Sequence, residues 1–122
     1  MKNNFPTIVL IRPQLPENIG MAARAMDNNG FKKLILVSPR EKWPNQIAIN
    51  SSGNSKQIIK KAKIYQTIDK ALSSFNYVFA TSNRKRFLNK PFYKKFDKIF
   101  ENAPLDKKIA IVFGPENSGL SN

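Results

Sequence analysis

Four runs of consecutive apolar residues punctuate the chain: TIVLI at Thr7–Ile11, LILV at Leu34–Val37, YVFA at Tyr77–Ala80 and IAIVF at Ile109–Phe113. A strand with one wet face alternates apolar and polar residues. One that is apolar at every position is covered on both faces, as in a parallel sheet. Segments of helical character lie between the runs. The pattern predicts a helix over Asn18–Asn29, closed by Gly30, and a short basic helix over Lys56–Ala62. It predicts a brief strand at Ile64–Gln66 and a helix over Ile68–Ser74, capped by Thr67 with Asp69 in its first turn. A further helix is expected around Phe92–Phe100. Pro13–Glu17 reads as a loop, and Arg40–Gly53 as polar and irregular. Strands that alternate with helices predict an α/β domain whose parallel sheet carries helices on both faces. A length of 122 residues suits one domain, spanning 1–122.

The chain has no cysteine and no histidine. Disulfides, thiolate metal sites, Ser-His-Asp chemistry and most zinc chemistry are therefore excluded, and no metal is expected. No apolar stretch approaches membrane-spanning length. The N-terminal apolar run is too short and too β-branched for a signal peptide, so a cytoplasmic protein is expected. The formal net charge is +13, which suits a polyanionic partner such as nucleic acid. Sixteen of the 21 basic residues are lysine, a composition that an AT-rich genome also produces. The placement of the charge is therefore more informative than its sum.

Three places carry candidate chemistry. In the first predicted helix, Ile19, Ala22, Ala23 and Met26 form the apolar stripe. Gly20, Arg24 and Asp27 form another, at i, i+4 and i+7. Asn18 is placed to cap the helix. Glycine in a helix interior costs about 1 kcal/mol against alanine. Its use is close approach, either of a packed strand or of a ligand near Arg24. The second place is VFGPENSGLS, Val112–Ser121, directly after a buried strand. There Gly114 and Gly119 would let backbone groups approach a flat ligand, and Glu116 and Asn117 are the polar groups on offer. An ordinary strand-to-helix turn fits the same residues. The third is Thr81–Lys98, where Arg84, Lys85, Arg86, Lys90, Lys94, Lys95 and Lys98 face one acid, Asp97, with aromatics interleaved. Basic residues that hold phosphates beside aromatics that stack on unpaired bases suit single-stranded or looped RNA. Lys56, Lys60 and Lys63 form a second basic stripe, read as a solvated face.

PENIGMAARAM resembles the first motif of the SpoU/TrmH class of SPOUT methyltransferases, and IVFGPENSGLS resembles the second. LVSPR and TSNRKR, in their places, are similar to the TrmJ-like branch, which methylates ribose 2′-oxygens in tRNA. The resemblance covers nearly the whole chain. It implies a SPOUT-like (α/β knot class) fold and S-adenosyl-L-methionine as cofactor. It implies Arg24 and Asn18 as catalytic residues, with Gly20 clearing space for the nucleotide. Thr81, Ser82, Gly114, Glu116 and Leu120 would border the cofactor, and Arg24, Arg84 and Arg86 would contact RNA, tRNA first. Ribosomal RNA is the alternative substrate, and a non-catalytic RNA-binding remnant the alternative function. The family also has a third motif, which completes a trefoil knot, part of the cofactor pocket and part of a homodimer interface. These 122 residues lack that motif. As the entire product, they would be a domain truncated after the second motif. The expectation is then an incomplete knot, with weakened cofactor binding and dimerisation.

Overall fold

The computed structural model describes residues 6–81 and 108–114. In chain order the elements are β1 (Thr7–Ile11), α1 (Pro16–Asn28), β2 (Leu34–Val37), α2 (Gln46–Ser51), a 3-10 turn (Gly53–Ser55), α3 (Lys56–Lys60), β3 (Lys63–Tyr65), α4 (Ile68–Leu72), β4 (Tyr77–Thr81) and β5 (Ile109–Phe113). The five strands form one sheet in the order β3-β2-β1-β5-β4. Every pair is parallel. Val9, at the centre of β1, is flanked by Ile35 on one side and Val112 on the other.

Three of the four continuous apolar runs are buried for the reason that their pattern implies; YVFA departs from that expectation, because β4 is an edge strand and its Tyr77, Val78 and Ala80 are exposed. All residues of β1, β2 and β5 are buried. Because side chains alternate across a strand, each run divides between two cores. Ile8, Leu10, Leu34, Leu36, Ile111 and Phe113 pack with the buried stripe of α1, joined by Ala48 of α2 and by Ile58 and Ile59 of α3. On the other face Val9, Ile11, Ile35, Val37, Ala110 and Val112 pack against Ala71 of α4. Helices therefore cover both faces. The outer strands carry more exposed residues: Lys63 of β3 and Tyr77 and Val78 of β4 are open to solvent.

The helix ends show how local chemistry sets the boundaries. Helix α1 starts at Pro16, two residues earlier than its apolar pattern suggests. Leu15 is the N-cap and offers no side-chain bond. Proline is suited to this first position because its φ is preset and its missing N–H had no partner to lose. Asn18 therefore lies within the first turn and is not the cap. At the other end Gly30 takes φ +88°. Its N–H donates to Asp27 O at 3.2 Å, and Phe31 N–H donates to Met26 O at 2.8 Å. These are the two bonds of a Schellman ending, and its usual apolar contact is present because Phe31 and Met26 share the core.

Helix α2 falls inside the segment that reads as irregular. With six residues and only Ala48 buried, it has no apolar stripe to betray it. Its start is set by Asn45, whose side-chain oxygen accepts from Ile47 N at 3.0 Å and Ala48 N at 3.1 Å. Thr67 caps α4 as expected, accepting from Lys70 N at 3.2 Å. The helix expected around Phe92–Phe100 lies outside the described residues.

Candidate active site at the carboxyl edge of the sheet

The sheet grows from β1 through β2 to β3, then resumes on the other side with β4 at the edge and β5 beside β1. Its direction of growth reverses between β1 and β5. In open parallel sheets, ligands bind outside the carboxyl ends of the strands at such a point. Gly114 is buried there, one residue past β5. Thr81 ends β4 and pairs in register with Phe113, so Thr81 and Gly114 stand at adjacent strand ends. Helix α1 begins a short loop after β1, which puts Asn18 in the turn nearest this edge.

Two strand ends share a feature that sequence reasoning missed. Arg12, after β1, has φ +47°, and Ser38, after β2, has φ +50°. Neither is glycine, and a side chain in the left-handed region costs about 1–2 kcal/mol. Each precedes a proline, which disfavours the right-handed helical alternative. The ladder nevertheless continues through both: Arg12 N–H donates to Val37 O, and Ser38 N–H donates to Tyr65 O, each at 2.8 Å. Arg40 N–H then reaches Pro13 O at 3.0 Å, tying the two loops together. Such strain gathers at functional sites. The repeated strand-then-X-Pro pattern was the available signal.

Gly20 corrects the expectation that it clears space for a nucleotide. A Cβ there would meet the Ser51 hydroxyl, and would lie 2.7 Å from Ala48 O and 2.9 Å from the Ser51 carbonyl carbon. The space beside Gly20 is filled by α2, so the glycine serves helix-on-helix packing. The same stripe is held again two turns on. The Asp27 carboxylate accepts from Ser55 Oγ of the 3-10 turn at 3.0 Å and from Lys32 Nζ at 2.7 Å. Arg24 lies between these two contacts, exposed, and enters no ion pair among the described residues.

Asn18 and Arg24 are not on one face. Six positions separate them, which is about 9 Å along a helix axis and about 120° around it. Asn18 is half-buried near the edge, whereas Arg24 is exposed farther down the helix. A single ligand would touch both only by lying across α1 with the long arginine side chain reaching back. Of the other candidates, Ser82, Arg84, Arg86, Glu116 and Leu120 lie outside the described residues, as does the basic loop that contains the two arginines.

Asp27 also gives the domain a pH dependence. The Lys32 ammonium, and after it the Ser55 hydroxyl, hold its carboxyl below the usual carboxylate range. A depressed folded pKa adds stability above the unfolded-state pKa, and that stability fades as pH falls through the folded value. Asp27→Asn should therefore be less stable than wild type at pH 7. The gap should close in acid, below about pH 4. Urea melts of both proteins from pH 7 to pH 3 check this; a gap that stays constant across that range would contradict it.

The SpoU rRNA methylase family model matches residues 6–122. The chain belongs to the SpoU methylase family. It is 35% identical over 118 residues to the TrmJ tRNA (cytidine/uridine/adenosine-2′-O-)-methyltransferase of Pseudomonas aeruginosa, covering 94% of this chain and 46% of that protein. It is 34% identical over 123 residues to the TrmJ tRNA (cytidine-2′-O-)-methyltransferase of Methanocaldococcus jannaschii, covering 95% of this chain and 51% of the other. The crystal structure of TrmJ from Z. mobilis ZM4 superposes with a TM-score of 0.79 at 39% identity, covering 95% of this chain and 52% of that one. This SpoU-family chain thus spans about half the length of the curated relatives it matches. No described helix is long and apolar enough to cross a membrane.

Proposed function

We propose that the chain acts in S-adenosyl-L-methionine-dependent methylation of ribose 2′-oxygens in tRNA. The observation that carries this reading is the similarity to TrmJ tRNA 2′-O-methyltransferases, which runs through 94% of the chain, together with the family match over residues 6–122, the span that holds both motifs. The edge geometry supports it. The buried backbone at Gly114 and the neighbouring strand end at Thr81 stand where open parallel sheets carry a ligand crevice, which suits a cofactor of flat adenine and ribose. Gly114 and Thr81, with Ser82, Glu116 and Leu120, would hold that cofactor, which supplies a methyl group on a sulfonium.

The chain's own residues then have to bind and orient the ribose. Arg24 stays protonated at every accessible pH, so it is a poor general base. Its role is to fix the 2′-hydroxyl and to stabilise the negative charge that develops on the oxygen. The hydroxyl proton leaves to water or to an RNA phosphate oxygen. Asn18 supports the site from the first turn of α1, and Arg84 and Arg86 hold RNA phosphates. Much of the acceleration would come from aligning nucleophile, methyl carbon and leaving sulfur. The family's homodimer and a cytoplasmic location complete the proposal.

Calorimetric titration of the folded chain with S-adenosylhomocysteine tests the pocket. One-site binding of micromolar strength is expected, and it should be lost in Gly114→Val, which fills the crevice. Absence of heat from a folded chain would contradict the proposed cofactor site.

A further inference from the structure

The opposite, amino-terminal edge of the sheet holds a cavity of about 400 Å³ on the α4 face. Thr7, Leu34 and Lys63, the first residues of β1, β2 and β3, line it, as does Lys108 just before β5. Its floor includes Ile35, Tyr65 and Phe75. Lys32, Lys33, Lys61, Lys63 and Lys108 line its walls, all of them exposed. Lys32 is neutralised by Asp27 at 2.7 Å. Lys108 Nζ is held at 3.3 Å from Ser74 Oγ and 5.3 Å from the centre of the Phe75 ring. No carboxylate among the described residues pairs with Lys33, Lys61, Lys63 or Lys108.

Several cations gathered round a concave space repel one another, and a bound polyanion relieves that repulsion. Lysines are point-charge donors suited to phosphate, and a floor with two aromatic rings suits a base. The volume lies within the range of small-ligand sites. We propose that this cavity binds a nucleotide of the RNA at a distance from the one that is methylated. The lysines take its phosphates, and Tyr65 and Phe75 face its base. A five-residue strand spans roughly 16 Å, so a folded RNA can lie on this edge and on the carboxyl edge at once. The proposal rests on the tRNA reading above.

The test is the triple variant Lys33→Gln, Lys61→Gln and Lys63→Gln, compared with wild type for tRNA binding across a salt series. All three side chains are exposed, so the fold should survive, and an unchanged thermal melt verifies that. Each lost phosphate contact lowers the salt slope by about one. The slope of log affinity against log salt should therefore become shallower by about 3, with affinity down tenfold or more in 0.1 M salt. Wild-type binding with unchanged slope and affinity in the variant would overturn the cavity as an RNA site. Unchanged tRNA affinity with lost binding of adenosine monophosphate would assign the cavity to a free nucleotide and overturn the proposal equally. Failure of the wild-type chain itself to bind tRNA would instead remove the tRNA reading, and the cavity's role with it.

Discussion

Gly20→Ala should destabilise the domain by about 1–3 kcal/mol, the usual cost of overpacking. The added methyl group would sit 2.7 Å from Ala48 O and 2.9 Å from the Ser51 carbonyl carbon, both backbone atoms of α2. The Ser51 side chain can rotate away, but those two atoms move only if the helix moves. Alanine's helix propensity returns about 1 kcal/mol, so a measured loss understates the clash. The alternative role makes the opposite forecast. A glycine that merely opened space for RNA would, as alanine, raise stability and weaken RNA binding alone. Chemical denaturation separates the two, and a more stable Gly20→Ala protein would refute the α1–α2 packing.

Arg24→Ala should lower kcat for tRNA methylation on the order of 10²–10³-fold, the scale of losing one charge-stabilising donor. Stability should stay within about 0.5 kcal/mol, because the side chain is exposed and unpaired among the described residues. RNA affinity should fall little. Arg24→Lys should not restore activity, because a point charge does not replace the planar fork. Unchanged turnover in the alanine variant would remove Arg24 from the mechanism.

The interior of the fold was readable because continuous apolar runs have one main use in an α/β chain. The extents of β1, β2 and β5 follow TIVLI, LILV and IAIVF residue for residue. The buried stripe of α1 was equally plain from its period. What stayed hidden lacked periodicity. Helix α2 has one buried residue, and its start depends on a single asparagine side chain. The start of α1 differs from the pattern because Pro16 sets the boundary through its ring, although Asn18 has good capping chemistry.

The site was harder to read because spacing along one helix says nothing of what packs on it. Gly20, Arg24 and Asp27 do share a stripe, as their spacing implies. Two of the three are spent on α2 and the 3-10 turn. That partner helix was the element the pattern did not show, so a packing glycine resembled a ligand-facing one. The left-handed Arg12 and Ser38 each precede a proline, a local signal, but the ladder bonds that they donate to Val37 O and Tyr65 O join distant parts of the chain.

The decisive measurement is to incubate the chain with tRNA and methyl-labelled S-adenosylmethionine, digest the RNA and identify the labelled nucleoside. A ribose 2′-O-methyl nucleoside is predicted, with the rate of labelling lowered on the order of 10²–10³-fold when Arg24 is replaced by alanine. A methyl group on a base, or no transfer from a folded chain that binds both cofactor and tRNA, would contradict the proposed function.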